Sequence, residues 1–431
     1  MAPAITPVET SVGPPDATSV VVIGGGIVGL TAALTLAERG IPVVLLEKGT
    51  IAGEQSSRNL GWIRKMGRGE QDLPLARASE RLWASTAERV GADVGFRQEG
   101  ILYLARTKAQ MARYESWLDG IREERLDSRL LSPTQIDDLV PGGAGGWAGG
   151  LHTPSDGRAE PTLASSAIAR AALAKGAVIV EQCAVRGLSL TGGRVSGVVT
   201  ERGEVRCDQV ILAGGFWSRR FLGNLNVPLP TLPLVASVIR TAPMDGPTEI
   251  AVGAPDFSFR KHIDGGYIIT QRGAFMAPLV LDSLLIGRRY IKMLREQWKN
   301  VRLSLGRDLI EDLALPRRWG DQAVSPFEHV RTMDPPVNDG LNAEALRNLS
   351  AAWPVFKDTV VAESWAGMID VTPDSLPVIS PVAKVPGLTL ASGFSGHGFG
   401  TSPAAGQLAA DLATGTVPIV DPAPYRLDRF T

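Results

Sequence analysis

A glycine-rich turn near the start of the chain, residues 24–29 (GGGIVG), is the feature that most constrains the fold. It follows Ser19–Ile23, a short β-branched run typical of a buried parallel strand. Helical spacing of apolar residues begins directly after it, over Leu30–Arg39. A second apolar run, Pro42–Leu46, then ends at Glu47. The sequence therefore predicts a strand–helix–strand unit with the glycine turn at the start of the helix.

Each residue of the turn has a physical role in binding a dinucleotide. Gly24 permits a tight turn, Gly26 lets a pyrophosphate approach the backbone, and Gly29 lets the helix pack closely on the strand. Backbone N–H groups at the helix start, including those of Ile27 and Val28, have no carbonyl partner and can bind the anion. The acidic residue that ends the second strand is placed to accept hydrogen bonds from ribose hydroxyls.

Composition excludes several other classes of protein. The 44 Lys and Arg residues against 45 Asp and Glu give a net charge of -1, so no broad nucleic-acid-binding surface is expected. The two cysteines and four scattered histidines predict no disulfide framework and no metal site. No apolar run is long enough to span a bilayer, and residues 1–18 lack the features of a secretion signal. We therefore expect a cytoplasmic protein whose proline-rich first 18 residues form a disordered tail.

Two later segments favour FAD over NAD. The apolar run Gln209–Ala213 leads into Gly214–Ser218, which indicates a late return of the chain to the same sheet. A second glycine-rich turn within Ala391–Gly400 opens a helix near the C-terminus. A compact NAD-binding domain needs neither segment.

With these segments in view, the chain resembles the D-amino-acid oxidase and glycine oxidase superfamily of FAD-dependent enzymes, and within it the bacterial L-amino-acid deaminases. The resemblance extends from residue 19 to about residue 416. It rests on five segments: residues 24–29, 53–57 (GEQSS), 157–161 (GRAEP), 213–218 (AGGFWS) and 393–400 (GFSGHGFG).

The resemblance implies an α/β fold in which a Rossmann-like FAD-binding domain is interleaved with an antiparallel-sheet substrate domain, as in glutathione reductase. The implied FAD-binding domain comprises residues 19–90, 150–225 and 360–420. The substrate domain then comprises residues 91–149 and 226–359, with a helical insertion at about 278–320.

The same resemblance implies non-covalent FAD and a set of residues that hold it. No Cys lies near Thr372 and no His lies in residues 52–64, where relatives attach the flavin covalently. His397 is expected to contribute its backbone rather than a catalytic base. The implied cofactor-binding residues are Gly24, Gly26, Ile27, Val28, Gly29, Glu47, Lys48, Ser56, Ser57, Val185, Gly214, Trp217, Gly393, Gly396, His397 and Gly398.

A cationic side chain is needed to hold the substrate carboxylate, and Arg suits it because its guanidinium binds carboxylates with two hydrogen bonds. Glycine-oxidase-like relatives carry this Arg in a segment that reads GMIDVTPD here, where Ile369 stands in the arginine position. Resemblance to the L-amino-acid deaminases points instead to Arg260, with Trp365 as an aromatic pocket residue. Arg64 is the rival, and the two arginines are compatible with a joint role.

The implied reaction is hydride transfer from the substrate Cα to flavin N5, which gives an imine that water hydrolyses to a keto acid and ammonia. The substrate is an amino acid or amine, and oxygen or a quinone then accepts the electrons. Two alternatives stay open. One is an oxidase of D-amino acids or of secondary amines such as sarcosine that makes hydrogen peroxide, and the other is a non-catalytic flavin-binding subunit.

Residues 279–303 form an amphipathic pattern with six Lys and Arg residues against Asp282 and Glu296. One interpretation is a basic helix that contacts the inner face of an anionic membrane. The other is a helix pair that covers the active site and leaves its basic face in solvent. The sequence leaves both open.

Overall fold

The computed structural model describes residues 2–430. Its α-helices are, in chain order, α1 (Ile27–Glu38), α2 (Gln55–Arg58), α3 (Leu73–Val90), α4 (Lys108–Gly120), α5 (Pro133–Leu139), α6 (Pro161–Ala174), α7 (Ser218–Asn224), α8 (Leu281–Ile286), α9 (Ile291–Gln297), α10 (Arg307–Ala314), α11 (Pro326–His329), α12 (Asp339–Ala352) and α13 (Gly398–Thr414).

The strands are, in chain order, β1 (Val20–Ile23), β2 (Val43–Leu46), β3 (Trp62–Ile63), β4 (Ile101–Ala105), β5 (Arg129–Leu131), β6 (Gly149–Thr153), β7 (Gly157–Arg158), β8 (Val178–Val180), β9 (Val185–Thr191), β10 (Arg194–Thr200), β11 (Gly203–Arg206), β12 (Gln209–Leu212), β13 (Leu232–Thr241), β14 (Ala251–Gly253), β15 (Ser258–Lys261), β16 (Tyr267–Thr270), β17 (Phe275–Pro278), β18 (Val301–Ser304), β19 (Val361–Val371), β20 (Val378–Pro381) and β21 (Leu388–Ser392).

A six-stranded sheet with the order β20-β21-β12-β1-β2-β8 forms the first half of the fold. All its pairings are parallel except that of β20 with β21. The strands are buried on both faces because α1, α6 and α13 cover one side and the β9–β11 meander covers the other. This double burial explains why β1 and β2 are continuous apolar runs rather than alternating ones. The fold is therefore of the mixed α/β class, as predicted.

A ten-stranded mixed sheet forms the second half, with β18-β17-β13-β16-β15-β14-β4-β6-β5 in order and β19 paired to β13. Two of its strands fall outside the expected substrate-domain segments. β6 pairs along its length with β4, and β19 pairs with β13 from Leu232↔Val371 to Thr241↔Val361. Long antiparallel hydrogen-bonded ladders place these strands in the larger sheet, although the strand that follows each of them belongs to another sheet: β7 pairs with β3, and β20 lies in the six-stranded sheet.

The first residues of the chain differ from the expected disordered tail. Ile5 and Val8 pack against the core around α1, and Ser11 N donates to Ile179 O at 2.7 Å. Ser166 Oγ also donates to Thr6 O at 2.7 Å. Ile5 and Val8 of this proline-rich segment thus pack on an apolar surface of the folded protein. The composition of the segment does not predict this contact.

The segment 279–303 is not one continuous helix, as the interpretation of a single basic helix would require. α8 ends before Gly287, α9 ends at Gln297, and β18 then pairs in parallel with β17 from Phe275↔Val301 to Pro278↔Ser304. The last part of the amphipathic pattern forms strand β18 instead of a helix, because pairing with β17 supplies the backbone hydrogen bonds that a helix would otherwise make. No α-helix within residues 2–430 has both the length and the apolar character needed to cross a bilayer.

Candidate functional site

A cavity of about 730 Å³ lies between the two sheets. At one end its lining includes Gly24, Glu47 and Ala213, which follow β1, β2 and β12 of the six-stranded sheet. At the other end it includes Tyr103 of β4 and Thr270 of β16 in the ten-stranded sheet. In an α/β fold the carboxyl ends of parallel strands are where ligands bind, so the cavity begins where a nucleotide is expected.

The glycine turn at this end of the cavity is closely packed against backbone at Gly24 and Gly29. A Cβ on Gly24, whose φ is +113°, would lie 2.5 Å from Ala213 O, and one on Gly29 would lie 2.1 Å from Gly24 O. Gly26 is open except for Ser56 Oγ, 3.1 Å from the position its Cβ would take. Gly24 and Gly26 line the cavity, whereas Gly29 lies behind it and lets α1 approach β1. This cradle fits the pyrophosphate of a dinucleotide.

The first turn of α1 presents its backbone to the same cavity. The first helical hydrogen bond runs from Leu30 N to Gly26 O at 2.9 Å, so the preceding N–H groups lack a helical partner. Ser56 Oγ accepts from Ile27 N at 2.9 Å, and Ile27, Val28 and Ser56 all line the cavity. Ser57 does not line it, because its hydroxyl turns back to Glu54 O at 3.3 Å.

Glu47 lies where a ribose-binding carboxylate is expected. Its Oε2 accepts from Gly25 N at 2.6 Å and its Oε1 from Gly49 N at 2.7 Å. Burial raises the pKa of Glu47 above its ordinary value, against the opposing effects of Lys48 and of the two backbone N–H donors. The carboxylate is thus held in place at the carboxyl end of β2.

Lys48 and Trp217, beside Glu47, both donate to the carboxylate of Glu54. Lys48 Nζ donates to Glu54 Oε1 at 2.8 Å and lies 4.5 Å from the Trp217 ring centroid. Trp217 Nε1 donates to Glu54 Oε1 at 3.0 Å. Lys48, Trp217, Val185 and Gly214, four of the residues that the sequence analysis gives as cofactor-binding, line the cavity.

The second glycine turn brings the N-terminus of α13 to the cavity. Gly396, His397 and Gly398 line it, with His397 at the N-cap position of α13. Gly393 does not line the cavity, because it lies behind the turn, where its N–H donates to Asp370 Oδ2 at 2.7 Å. A helix N-terminus stabilises negative charge, which fits the pyrimidine end of a reduced flavin.

Three arginines surround Tyr103 at the far end of the cavity, and Arg64, Arg68 and Arg272 are called the guanidinium cluster below. Arg272 Cζ lies 3.7 Å from the Tyr103 ring centroid and Arg64 Cζ lies 5.9 Å from it. Arg68 Nη1 donates to Asp72 Oδ2 at 2.9 Å, and its Nε donates to Arg64 O at 3.3 Å. Within residues 2–430, neither Arg64 nor Arg272 forms an ion pair with a carboxylate.

The cluster perturbs the titration of its neighbours. Burial acts to raise the pKa of Tyr103, but the charges of Arg64, Arg272 and Arg68 hold it below its ordinary value. Burial, reinforced by Arg68 and Arg64, holds the pKa of His397 well below its usual range. Both directions indicate a strongly electropositive end of the cavity.

His397 is therefore neutral and accepts a hydrogen bond from the cluster. Its Nε2 lies 3.1 Å from Arg64 Nη2, and because a guanidinium only donates, the imidazole proton is assigned to Nδ1. This geometry ties the N-terminus of α13 to the loop that carries Arg64.

Arg260 and Trp365, the other predicted substrate residues, do not line this cavity, which corrects that expectation. The Arg260 side chain is drawn into an ion pair with Glu160, with Nη2 2.8 Å from Oε2, and the residue is only 1% exposed. Trp365 packs on Val238 and Ile268, and its Nε1 donates to Arg58 O at 2.9 Å. Arg64 is the predicted substrate residue that the structure does bring to the cavity.

Sequence reasoning missed Arg272, Arg68 and Tyr103. Arg272 follows β16 in a short turn, and Tyr103 lies inside an apolar strand, where an aromatic residue is most often part of the core. Neither position belongs to a motif. They meet because β14 lies between β15 and β4 in the larger sheet, an order that no local pattern encodes.

Comparison with known proteins gives consistent matches along the chain. Residues 19–412 match the family model described as FAD dependent oxidoreductase. The L-amino acid deaminase from Proteus myxofaciens, solved in complex with anthranilate, is 33% identical with a TM-score of 0.96, covering 100% of this chain and 97% of that one. The L-amino acid deaminase from Proteus vulgaris is 33% identical with a TM-score of 0.94, covering 98% and 100%. Glycine oxidase from Pseudomonas aeruginosa is 27% identical over 94% of this chain and 97% of the relative.

Proposed function

The chain belongs to the FAD-dependent oxidoreductase family, and from that premise we propose that it oxidises the Cα–N bond of an amino acid, in the manner of an L-amino-acid deaminase. The guanidinium cluster carries the proposal. It places two arginines without a carboxylate partner in the cavity that also receives the N-terminus of α13. An amino acid is the small metabolite that offers both a carboxylate for these arginines and an oxidisable carbon bonded to nitrogen.

The chain's own residues fit FAD along the cavity. Gly24, Gly26 and the start of α1 would hold the pyrophosphate, Glu47 the ribose, and the N-terminus of α13 the pyrimidine edge. When bound, FAD supplies a two-electron acceptor that takes a hydride from the substrate. No Cys lies near Thr372 and no His lies in residues 52–64, so we propose that the cofactor is held non-covalently.

The substrate carboxylate binds at Arg272, with Arg64 on the other side of the cluster. Because a guanidinium binds a carboxylate through two hydrogen bonds, it fixes orientation as well as position and aligns Cα for hydride loss. The amino acid loses the Cα hydride and one N–H proton to become an imino acid. Water then adds to the C=N bond and ammonia leaves, which yields the keto acid.

His397 is not the base for this reaction. Its Nε2 already accepts from Arg64, and burial, reinforced by the charges of Arg68 and Arg64, lowers its pKa so far that it takes up a proton poorly. A substrate that arrives with a neutral amine needs no strong base, and the electropositive site favours that form because it penalises an ammonium group.

Oxygen or a quinone is the proposed final electron acceptor. The insertion at 278–320 is the proposed contact with the inner face of a membrane. Its outer surface exposes apolar residues, including Leu284 at 82% and Leu285 at 59%, beside Arg288 and Arg289. An exposed apolar patch with a basic surround favours an anionic bilayer surface. The same segment also lines the cavity through Leu279, so covering the active site and touching a membrane are compatible roles.

We further propose that the protein is cytoplasmic. We also propose that the six-stranded sheet belongs to an FAD-binding domain and the ten-stranded sheet to a substrate domain. Support comes from the strands of the six-stranded sheet, which lie in residues 19–90, 150–225 and 360–420. The insertion is fastened to the smaller sheet's side of the fold by Arg219, whose Nη2 lies 2.7 Å from Asp282 Oδ1.

Anaerobic mixing of the purified holoprotein with L- and D-amino acids tests the function. We expect the flavin absorbance near 450 nm (about that wavelength for oxidised flavin) to bleach with L-amino acids, and keto acid to form after addition of oxygen or a quinone. Bleaching by D-amino acids or sarcosine, with peroxide formed, would support the oxidase alternative. Bleaching by none of them would indicate a flavin-binding protein without turnover.

A further inference from the structure

The guanidinium cluster carries more positive charge than one carboxylate can neutralise. Arg68 is matched by Asp72, whereas the hydrogen bonds of Arg64 and Arg272 go to neutral groups. Arg64 donates to Met66 O and His397 Nε2, and Arg272 donates to Ala254 O at 3.3 Å. Within the described residues, 2–430, no carboxylate therefore pairs with either of these two guanidinium charges at the cavity.

The carboxylates that line the cavity do not supply the missing charge. Among the described lining residues they are Glu47, Glu54 and Asp370, and each is already held by donors elsewhere. Glu47 accepts from backbone N–H groups, Glu54 from Lys48 and Trp217, and Asp370 from the second glycine turn. Asp156 accepts from Lys65 N and Met66 N behind the loop and does not line the cavity.

The two unmatched groups are close enough for one small molecule to reach both. Arg272 Cζ lies 3.7 Å and Arg64 Cζ 5.9 Å from the same Tyr103 ring centroid, so their separation cannot exceed the sum of these distances. Each is held from behind, Arg64 by Met66 O and Arg272 by Ala254 O, so their positions are set before a ligand binds.

We propose that the substrate is an amino acid with a second carboxylate, one carboxylate bound at Arg272 and the other at Arg64. This inference rests on the proposed function and narrows its substrate class. A monocarboxylic amino acid would leave one of these two half-buried guanidinium groups without an anionic partner, whereas a dicarboxylate neutralises both. The second carboxylate lies on the side chain, as in aspartate and glutamate, or on a carboxymethyl group at the nitrogen.

Amide isosteres give the sharpest test, because they remove the second charge and keep the shape. Flavin bleaching should be measured anaerobically with glutamate against glutamine, aspartate against asparagine, and N-carboxymethylglycine against its monoamide. In the wild-type protein we expect the ratio of bleaching rate to Kd to be higher for at least one acid than for its amide. The expected difference is at least about tenfold, which corresponds to one charged hydrogen bond. The pair that shows this preference identifies where the second carboxylate lies.

Arg64→Gln should reduce this acid-to-amide preference to near one, because the acid loses its second partner whereas the amide has no charge to lose. Arg106→Gln is the matched control, since Arg106 pairs with Asp256 near the surface of the same sheet and should keep the wild-type ratio. The visible spectrum of bound flavin gives a second readout without turnover: glutarate should bind more tightly than butyrate to the wild type. That comparison holds even if Arg64→Gln fails to fold.

Four results would overturn the inference. Amides that bleach the flavin as well as the acids, or glutarate that binds no better than butyrate, would remove the second carboxylate site and leave the proposed function standing. An Arg64→Gln variant that slows acids and amides equally would assign Arg64 to the cofactor beside α13 instead. Failure of every amine to bleach the flavin would remove the proposed function together with this inference.

Discussion

Arg272 lies against the ring of Tyr103, with its Cζ 3.7 Å from the ring centroid. The two residues belong to distant parts of the sequence and meet over Gly253 of β14, where a Cβ would lie 2.9 Å from Arg272 Nη1 and 3.1 Å from Tyr103 Cδ1. The missing side chain at Gly253 is what lets the guanidinium rest on the ring and face the cavity.

Gly253→Ala should therefore weaken substrate binding without loss of flavin. The new methyl group displaces the end of a flexible arginine rather than backbone, so we expect a rise in KM of about tenfold, equivalent to one weakened charged hydrogen bond, and little change in Tm. Arg272→Gln sets the upper limit of the effect. Wild-type KM in both variants, measured by steady-state kinetics, would show that Arg272 does not hold the carboxylate.

Gly29→Ala should abolish FAD binding and lower stability. The added Cβ would lie 2.1 Å from Gly24 O, which is backbone and cannot move without opening the glycine turn. We expect the ratio of absorbance at about 450 nm to that at about 280 nm to fall toward zero on purification. Gly223→Ala in α7 is the control, because no atom lies within 4 Å of its Cβ position. Full flavin content in Gly29→Ala would contradict the cradle.

Arg260→Met should destabilise the fold rather than act on substrate affinity. The change leaves the Glu160 carboxylate buried without its partner, at a cost of about 3–5 kcal/mol in the free energy of unfolding. Adding Glu160→Met should recover part of that loss, since a buried ion pair is often replaceable by apolar groups. Urea unfolding measures both changes. An unchanged stability with a sharply raised KM would restore Arg260 as the carboxylate-binding residue.

Glu328→Gln should destabilise the protein at neutral pH but not in acid. Arg186 donates to Glu328 through Nε at 2.9 Å and Nη2 at 2.8 Å, and this pairing, against the opposing effect of burial, lowers the pKa of Glu328 to about 2. A lowered folded-state pKa contributes stability above the unfolded value of 4.5 that is lost as pH falls through about 2. Unfolding measured from pH 7 to pH 2 should show the two proteins converging. A difference that is independent of pH would exclude the ionised pair as its cause.

Anionic vesicles should sediment the wild-type protein, and the paired change Leu284→Asp and Leu285→Asp should abolish this. Both leucines lie in α8 on the exposed side of the insertion, where apolar area and nearby arginines act together. Val417→Asp is the control, since Val417 is 90% exposed outside the insertion. Vesicles of neutral lipid should bind weakly. No sedimentation of the wild type would leave the insertion as a cover for the active site alone.

The sequence alone determined the nucleotide end of this protein. The strand, glycine turn and helix around Gly24, Gly26 and Gly29 were predicted from adjacent residues, and the resemblance to FAD-dependent enzymes was confirmed by the family match over residues 19–412. Such motifs can be recognised in a sequence because the local backbone geometry depends on residues that are adjacent in the chain, among them glycines that lack a Cβ.

The guanidinium cluster and the position of Arg260, in contrast, follow from tertiary contacts. Strand order in the larger sheet brings Arg272 beside Tyr103, while the Glu160 carboxylate draws Arg260 away from the cavity that its sequence position suggested. The same order pairs β18 with β17 and so interrupts the helical pattern of 279–303. These outcomes depend on contacts between residues far apart in the chain. The pattern of residues along the sequence does not indicate which of several arginines will form an ion pair with a carboxylate in the folded protein.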